Sequence, residues 1–221
     1  MDKSVLPRGI YCLTGEKYSR GRSNIEVVEQ MIASGVKVIQ YREKEKTMRE
    51  KYDQCLKIRE LTREKDVAFI VNDHLDLALA VGADGIHIGQ EDLPPGEVRK
   101  IAGPEIIIGL STHSPEQARA ALEQPVDYIG VGPIFDTSTK EDVCAPVGLE
   151  YLDYVVKNIE LPFVAIGGIK EHNIEQVCRR GADCVALVTE IVAADSISDK
   201  INILQQLMGK YQNRKSEKEN R

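Results

Sequence analysis

The segment from Val67 to Asp92, VAFIVNDHLDLALAVGADGIHIGQED, holds the fold in miniature. Val67–Val71 is a short β-branched and aromatic run, which reads as a buried strand. Asn72-Asp73 follows, and Leu75, Leu77 and Leu79 mark an apolar helix. Gly82-Ala83-Asp84 ends that helix, because glycine accepts the left-handed conformation of a helix terminus at little cost. Asp84–Ile88 is the next strand, and Gln90-Glu91-Asp92 lies at its polar end. This is a βαβ unit. Its strands run parallel, so their polar ends fall on one edge of the sheet.

The same unit recurs outward in both directions. Ile10–Thr14, Val36–Tyr41, Ile106–Leu110, Val126–Val131, Leu161–Ile166 and Cys184–Val188 bring the apolar runs to eight. Ser34-Gly35-Val36 and Gly181-Ala182-Asp183 repeat the helix stop before a strand. Thr47 to Lys65 is the clearest helix, with Tyr52, Cys55, Leu56, Ile58 and Leu61 on one stripe. Ser114-Pro115 reads as an N-cap followed by proline in the first helical position. Eight such units in 221 residues predict an α/β fold, a (β/α)8 barrel in a single domain over residues 1–208. A doubly wound sheet is the rival. It calls for a glycine-rich phosphate loop after the first strand, and Thr14-Gly15-Glu16-Lys17-Tyr18 is not one.

Composition narrows the class. With 42% hydrophobic and 29% charged residues, the chain has the make-up of a globular domain. The net charge of −6 argues against nucleic acid as the main partner. No apolar run approaches the roughly 18 residues of a membrane span, and Met1–Arg8 has no signal-peptide pattern. Five scattered cysteines, without metal-site spacing, read as free thiols in a reducing cytoplasm. Residues 209–221, with five Lys/Arg and two Glu, read as a polar, disordered tail. A homo-oligomer is compatible with these residues but not derivable from them.

Each strand ends in residues suited to phosphate chemistry. Gln40, Arg42 and Lys44 alternate with Tyr41 and Glu43, so a continuing strand points the first three to one side. Arg and Lys hold phosphate oxygens and Gln can meet a heterocycle, though a charged, solvated strand end reads the same way. Asp73 and Asp92 end neighbouring strands, close enough to share Mg²⁺; Asp73 alone also reads as a helix N-cap. Gly132 to Val147 is a long segment without regular structure. It carries Thr137-Ser138-Thr139-Lys140 and reads as a lid or as a solvated loop. Gly167-Gly168 and Val188-Thr189 end the last two strands, a recurrent phosphate site in barrels, or else tight turns. His87 reads as a packed, hydrogen-bonded interior histidine, and His113 as structural. No nucleophile motif is present, which points to catalysis by positioning and electrostatics.

In this order the motifs resemble the thiamine-phosphate synthase (thiamine-phosphate pyrophosphorylase) family. They are Gln40–Lys44, Asn72-Asp73, Gly82–Asp92, Gly109–Ser111, Gly130–Phe135, Thr137–Lys140, Pro146–Leu149 and Ile166–Ile169. The resemblance runs from about Gly9 to Ile191. It implies a triosephosphate-isomerase-type barrel. The reaction would join 4-amino-2-methyl-5-(diphosphooxymethyl)pyrimidine to a thiazole phosphate, carboxylated or not, releasing pyrophosphate. It also implies the roles. Gln40, Tyr41, Arg42, Glu43, Lys44, Asn72, Ser111 and Lys140 would bind the pyrimidine diphosphate, with Arg42, Lys44, Ser111 and Lys140 catalytic. Thr137, Ser138, Thr139, Gly168, Val188 and Thr189 would bind the thiazole phosphate, and Asp73 and Asp92 one Mg²⁺. The partners would be phosphorylated small molecules, with neither nucleic acid nor membrane.

The chain departs from the family pattern at Asp136, where proline is common. It departs again at Thr189, where serine is usual, and at Glu190, where a small residue is common. A thiazole tautomerase-like paralogue on the same fold would not need the full magnesium and diphosphate set. Another phosphosugar-binding barrel isomerase would show an acid–base pair instead. A non-catalytic phosphate-ligand binder leaves the two aspartates unexplained.

Overall fold

The structure is a computed structural model that describes residues 6–137 and 145–219, with side chains through Tyr211. Eight parallel strands close into a barrel in sequence order, β8 pairing with β1. They are β1 (Gly9–Leu13), β2 (Val38–Tyr41), β3 (Ala68–Asn72), β4 (Gly85–Ile88), β5 (Ile107–Thr112), β6 (Tyr128–Val131), β7 (Phe163–Ile166) and β8 (Cys184–Leu187). Every expected apolar run holds one, within two residues at each end. The first seven helices follow strands β1 to β7 in turn: α1 (Asn24–Ala33), α2 (Met48–Glu64), α3 (Leu75–Val81), α4 (Pro95–Ala102), α5 (Pro115–Ala121), α6 (Gly148–Asn158) and α7 (Ile174–Arg179). After β8 come the short α8 (Thr189–Val192) and the long α9 (Ile197–Glu219).

Local chemistry sets these boundaries. Ser23 with Glu26, and Thr47 with Glu50, form reciprocal capping boxes that satisfy the first amides of α1 and α2. The Ser114 side chain accepts from Gln117 N–H ahead of Pro115. Gly35, Gly82 and Gly181 all have positive φ, as their place between helix and strand requires. Asp73 is not a helix cap, because α3 begins after His74.

The core has two layers. Residues such as Ile39, Phe69, Ile86, Ile108 and Ile129 face outward and pack beneath the helices. A smaller interior cluster contains Tyr11, Leu13, Val38, Ile70, Tyr128, Val164, Cys184 and Ala186. Burial on both faces is why the strands read as continuous apolar runs. Gly109 gives the interior its room: a Cβ there would lie 2.2 Å from the Tyr128 ring.

Cys12, Cys55, Cys178 and Cys184 are free and buried, while Cys144 lies outside the described residues. No helix among the described residues is long and apolar enough to cross a membrane. The backbone of α9 continues to Glu219, and Tyr211 takes a hydrogen bond from Arg179 at 3.0 Å beneath its guanidinium. The polar composition after Met208 concealed this contact, which lies across the helix layer.

Candidate active site

The C-terminal ends of the strands surround a cavity of about 690 Å³. Gln40, Arg42, Lys44, Asn72, Asp73, Asp92, Ser111, Thr137, Gly168, Val188 and Thr189 line it. Ser138, Thr139 and Lys140 lie outside the described residues. Tyr41 and Glu43, expected with them, are not among the residues that line the cavity. The cause is strand alternation. Tyr41 turns outward and its hydroxyl donates to Gln54 Oε1 at 2.8 Å. Glu43 turns away too, accepting 2.8 Å hydrogen bonds from Glu16 N–H and Asn24 Nδ2–H.

That outward side is a clamp on the Arg42–Lys44 segment. Gln54 Nε2 donates to Glu16 Oε2 at 2.9 Å, and Lys46 Nζ donates to Glu16 Oε1 at 2.8 Å. These bonds hold Glu16 ionised: burial opposes ionisation, but Lys46, Gln54 and the Asn24 amide together bring its pKa below the usual carboxylate value. Arg42 is fixed through its backbone, its N–H donating to Thr14 Oγ1 at 2.8 Å. Glu16, Asn24 and Gln54 were missed by sequence reasoning because they carry no motif and come from separate elements.

The carboxylates meet as expected. Asp73 and Asp92 line the cavity close enough to act on each other electrostatically, and Lys44 Nζ lies 2.6 Å from Asp73 Oδ2. Asp92 Oδ2 accepts from Gly89 N–H at 2.6 Å. Burial raises the Asp92 pKa, and the neighbouring Asp73 charge pushes it further up against the Gly89 hydrogen bond. Burial also acts on Asp73, but Lys44 outweighs it and brings that pKa below the usual value. Asp73 has φ +63°, a left-handed conformation uncommon for a side-chain-bearing residue and best tolerated by Asn and Asp. Such backbone strain concentrates at ligand-holding sites.

A hydrogen-bonded chain crosses the barrel floor. Gln40 Nε2 donates to the Tyr11 hydroxyl at 2.9 Å, and that hydroxyl lies 2.9 Å from the Tyr128 hydroxyl. Tyr128 in turn is 3.0 Å from His87 Nδ1, and His87 Nε2 is 2.9 Å from Ser111 Oγ. Burial raises the pKa of both phenols, so they remain protonated. His87 is thus the hydrogen-bonded interior histidine expected. Through it, the chain orients Gln40 and Ser111. His113 Nδ1 lies 2.5 Å from Gly132 O, tying β5 to the loop after β6.

The opposite end, after β7 and β8, is built mainly from backbone. Gly167 and Gly168 have φ +98° and +63°. A Cβ on Gly168 would lie 2.4 Å from Asp136 O. Only glycine lets this turn pack so close to the loop after β6. The cavity therefore has a side-chain end, with Arg42, Lys44, Asp73, Glu91 and Asp92, and a backbone end whose glycines are flanked by Lys170 and Glu190.

Comparison with known proteins shows the family. A family model described as Thiamine monophosphate synthase matches residues 10–191. A thiamine-phosphate synthase of Pelotomaculum thermopropionicum is 66% identical, covering 93% of this chain and 94% of its own length. One from Caldicellulosiruptor saccharolyticus is 55% identical, covering 92% of both. Among solved structures, a thiamine phosphate pyrophosphorylase from Pyrococcus furiosus superimposes with a TM-score of 0.84 at 34% identity. It covers 92% of this chain and 96% of that one.

Proposed function

We infer the function from one premise: the chain belongs to the thiamine-phosphate synthase family. It is a transferase of thiamine biosynthesis and acts on phosphorylated small molecules. The substrates would be the aminopyrimidine diphosphate and a thiazole phosphate, joined to give thiamine phosphate and pyrophosphate. The observation that carries this reading is the two-ended cavity, which can take one phosphorylated group at each end.

The family is magnesium-dependent, and the residues fit the ion. Two oxygen donors, Asp73 and Asp92, are held near enough that the Asp73 charge raises the Asp92 pKa, an arrangement a divalent cation relieves. No group of three or more His, Cys, Asp or Glu is gathered for a metal among the described residues. The remaining ligands would be water and substrate oxygens, as is usual for Mg²⁺. When bound, Mg²⁺ supplies positive charge to the departing diphosphate.

The protein's own residues would do the rest. Arg42 and Lys44 bind the diphosphate and stabilise the charge that develops as its C–O bond breaks. The electron pair leaves with the diphosphate, and the carbon's positive charge delocalises into the aminopyrimidine. Gln40 and Ser111, held by the Tyr11–Tyr128–His87 chain, orient that ring. Gly168, Val188 and Thr189 hold the thiazole phosphate so that its ring nitrogen attacks the cation. Thr137, with Ser138, Thr139 and Lys140 of the same run, would close the site against water. Residues 1–208 form the catalytic unit in this reading. A cytoplasmic location accords with the free thiols.

The test is to mix purified protein with Mg²⁺ and both substrates, omitting each component in turn. Pyrophosphate and thiamine phosphate should appear together and only in the complete mixture. Isomerisation of a thiazole carboxylate phosphate without condensation would replace this reading with the tautomerase-like one.

A further inference from the structure

Behind the backbone end of the cavity lies a charge cluster with no part in the reaction as described. Glu190 directly follows Thr189, lines the cavity and keeps 16% of its side chain exposed. A carboxylate there would repel the phosphate that this end is built to receive. One cation meets it from outside the cavity. Lys200, in the first turns of α9, places Nζ 3.1 Å from Glu190 Oε1 and 2.6 Å from Glu171 Oε2. Glu171 N–H also donates to Glu190 Oε1, at 3.2 Å. Lys200 thus joins the loop after β7, the start of α8 and the last helix. Its side chain is 24% exposed, so water screens these pairs only in part. The Glu171 hydrogen bond, more than any other contact, raises its pKa and keeps it charged.

We propose that Lys200 is a positioning residue for the thiazole phosphate. It neutralises Glu190 and turns that carboxylate toward the Glu171 amide, so the backbone end of the cavity stays receptive to an anion. Lys200 does not line the cavity, so its effect passes through Glu190. The inference rests on the proposed function and predicts opposite signs for two substitutions. Lys200→Met leaves two carboxylates without their cation. It should raise the KM for thiazole phosphate about tenfold and leave the KM for the pyrimidine diphosphate unchanged. Glu190→Gln removes the repulsion and should lower the thiazole phosphate KM about threefold. In the double variant the KM should return close to the wild-type value, because the two effects share one contact.

The experiment is steady-state kinetics of wild type and the three variants against each substrate. Calorimetric titration of thiazole phosphate runs beside it, along with thermal melts. The expected order of affinity is Glu190→Gln, then wild type and the double variant, then Lys200→Met. Equal changes in both KM values, or a lowered melting point with no change in either, would reduce Lys200 to a strut and overturn the proposal. Should Lys200→Met fail to fold, Glu190→Gln alone decides by the direction of its shift. Should wild type make no thiamine phosphate, the proposed function fails, and the order of affinities in the titration still decides this inference.

Discussion

In the proposed function, the two ends of the cavity would meet phosphate by different physical means. The β2–β4 end uses side-chain charge: Arg42, Lys44, Asp73 and Asp92, two of them already paired at 2.6 Å. The β7–β8 end uses backbone, with Gly167 and Gly168 at positive φ and the small residue Thr189 beside them. A diphosphate that leaves needs its developing charge stabilised, which charged groups and a metal do best. A phosphate that only anchors its substrate needs directional donors and no charge relay. The contrast teaches that binding strength and chemistry are separable within one pocket.

The largest effect should come from the charged end. Asp92→Ala should lower kcat about a thousandfold, while the melting temperature stays near that of wild type. Undiminished turnover by EDTA-treated mutant protein would remove the metal from that end.

A smaller loss tests whether the clamp matters. Glu43 touches no cavity surface yet anchors the segment carrying Arg42 and Lys44. Glu43→Ala should lower kcat/KM for the pyrimidine diphosphate roughly tenfold and leave the thiazole phosphate KM in place. Equal losses for both substrates would show general loosening of the barrel instead.

The gentlest probe is pH. The Asp92 pKa is raised by burial and by Asp73, so Asp92 takes up a proton at higher pH than a free aspartate does. Protons compete with Mg²⁺ for its ionised form. As pH falls through that raised pKa, the Mg²⁺ concentration for half-activation should climb, approaching about tenfold per unit. The same requirement at about pH 4 as at neutrality would contradict the assignment.

The charged end was legible in the sequence because its residue types announce themselves at strand ends. The barrel was legible because strands buried on both faces leave continuous apolar runs. The sequence reading took the Gln40–Lys44 motif as a block. Strand alternation had already placed Gln40, Arg42 and Lys44 on one side, and the same rule sends Tyr41 and Glu43 to the other. The partners that hold the site were hidden by distance along the chain. Tyr11 meets Tyr128 across 117 positions, and Gln54 meets Glu16 across 38. No local pattern encodes such pairs. The last helix was hidden for a similar reason, since Tyr211 is anchored by Arg179 from another element.

The most direct test of the two-ended account compares Arg42→Ala with Gly168→Ala, measuring the KM of both substrates in each. Arg42→Ala should raise the KM of the pyrimidine diphosphate alone. Gly168→Ala, whose Cβ would lie 2.4 Å from Asp136 O, should raise that of the thiazole phosphate alone. A crossed result, with either substitution acting on the opposite substrate, would contradict the account.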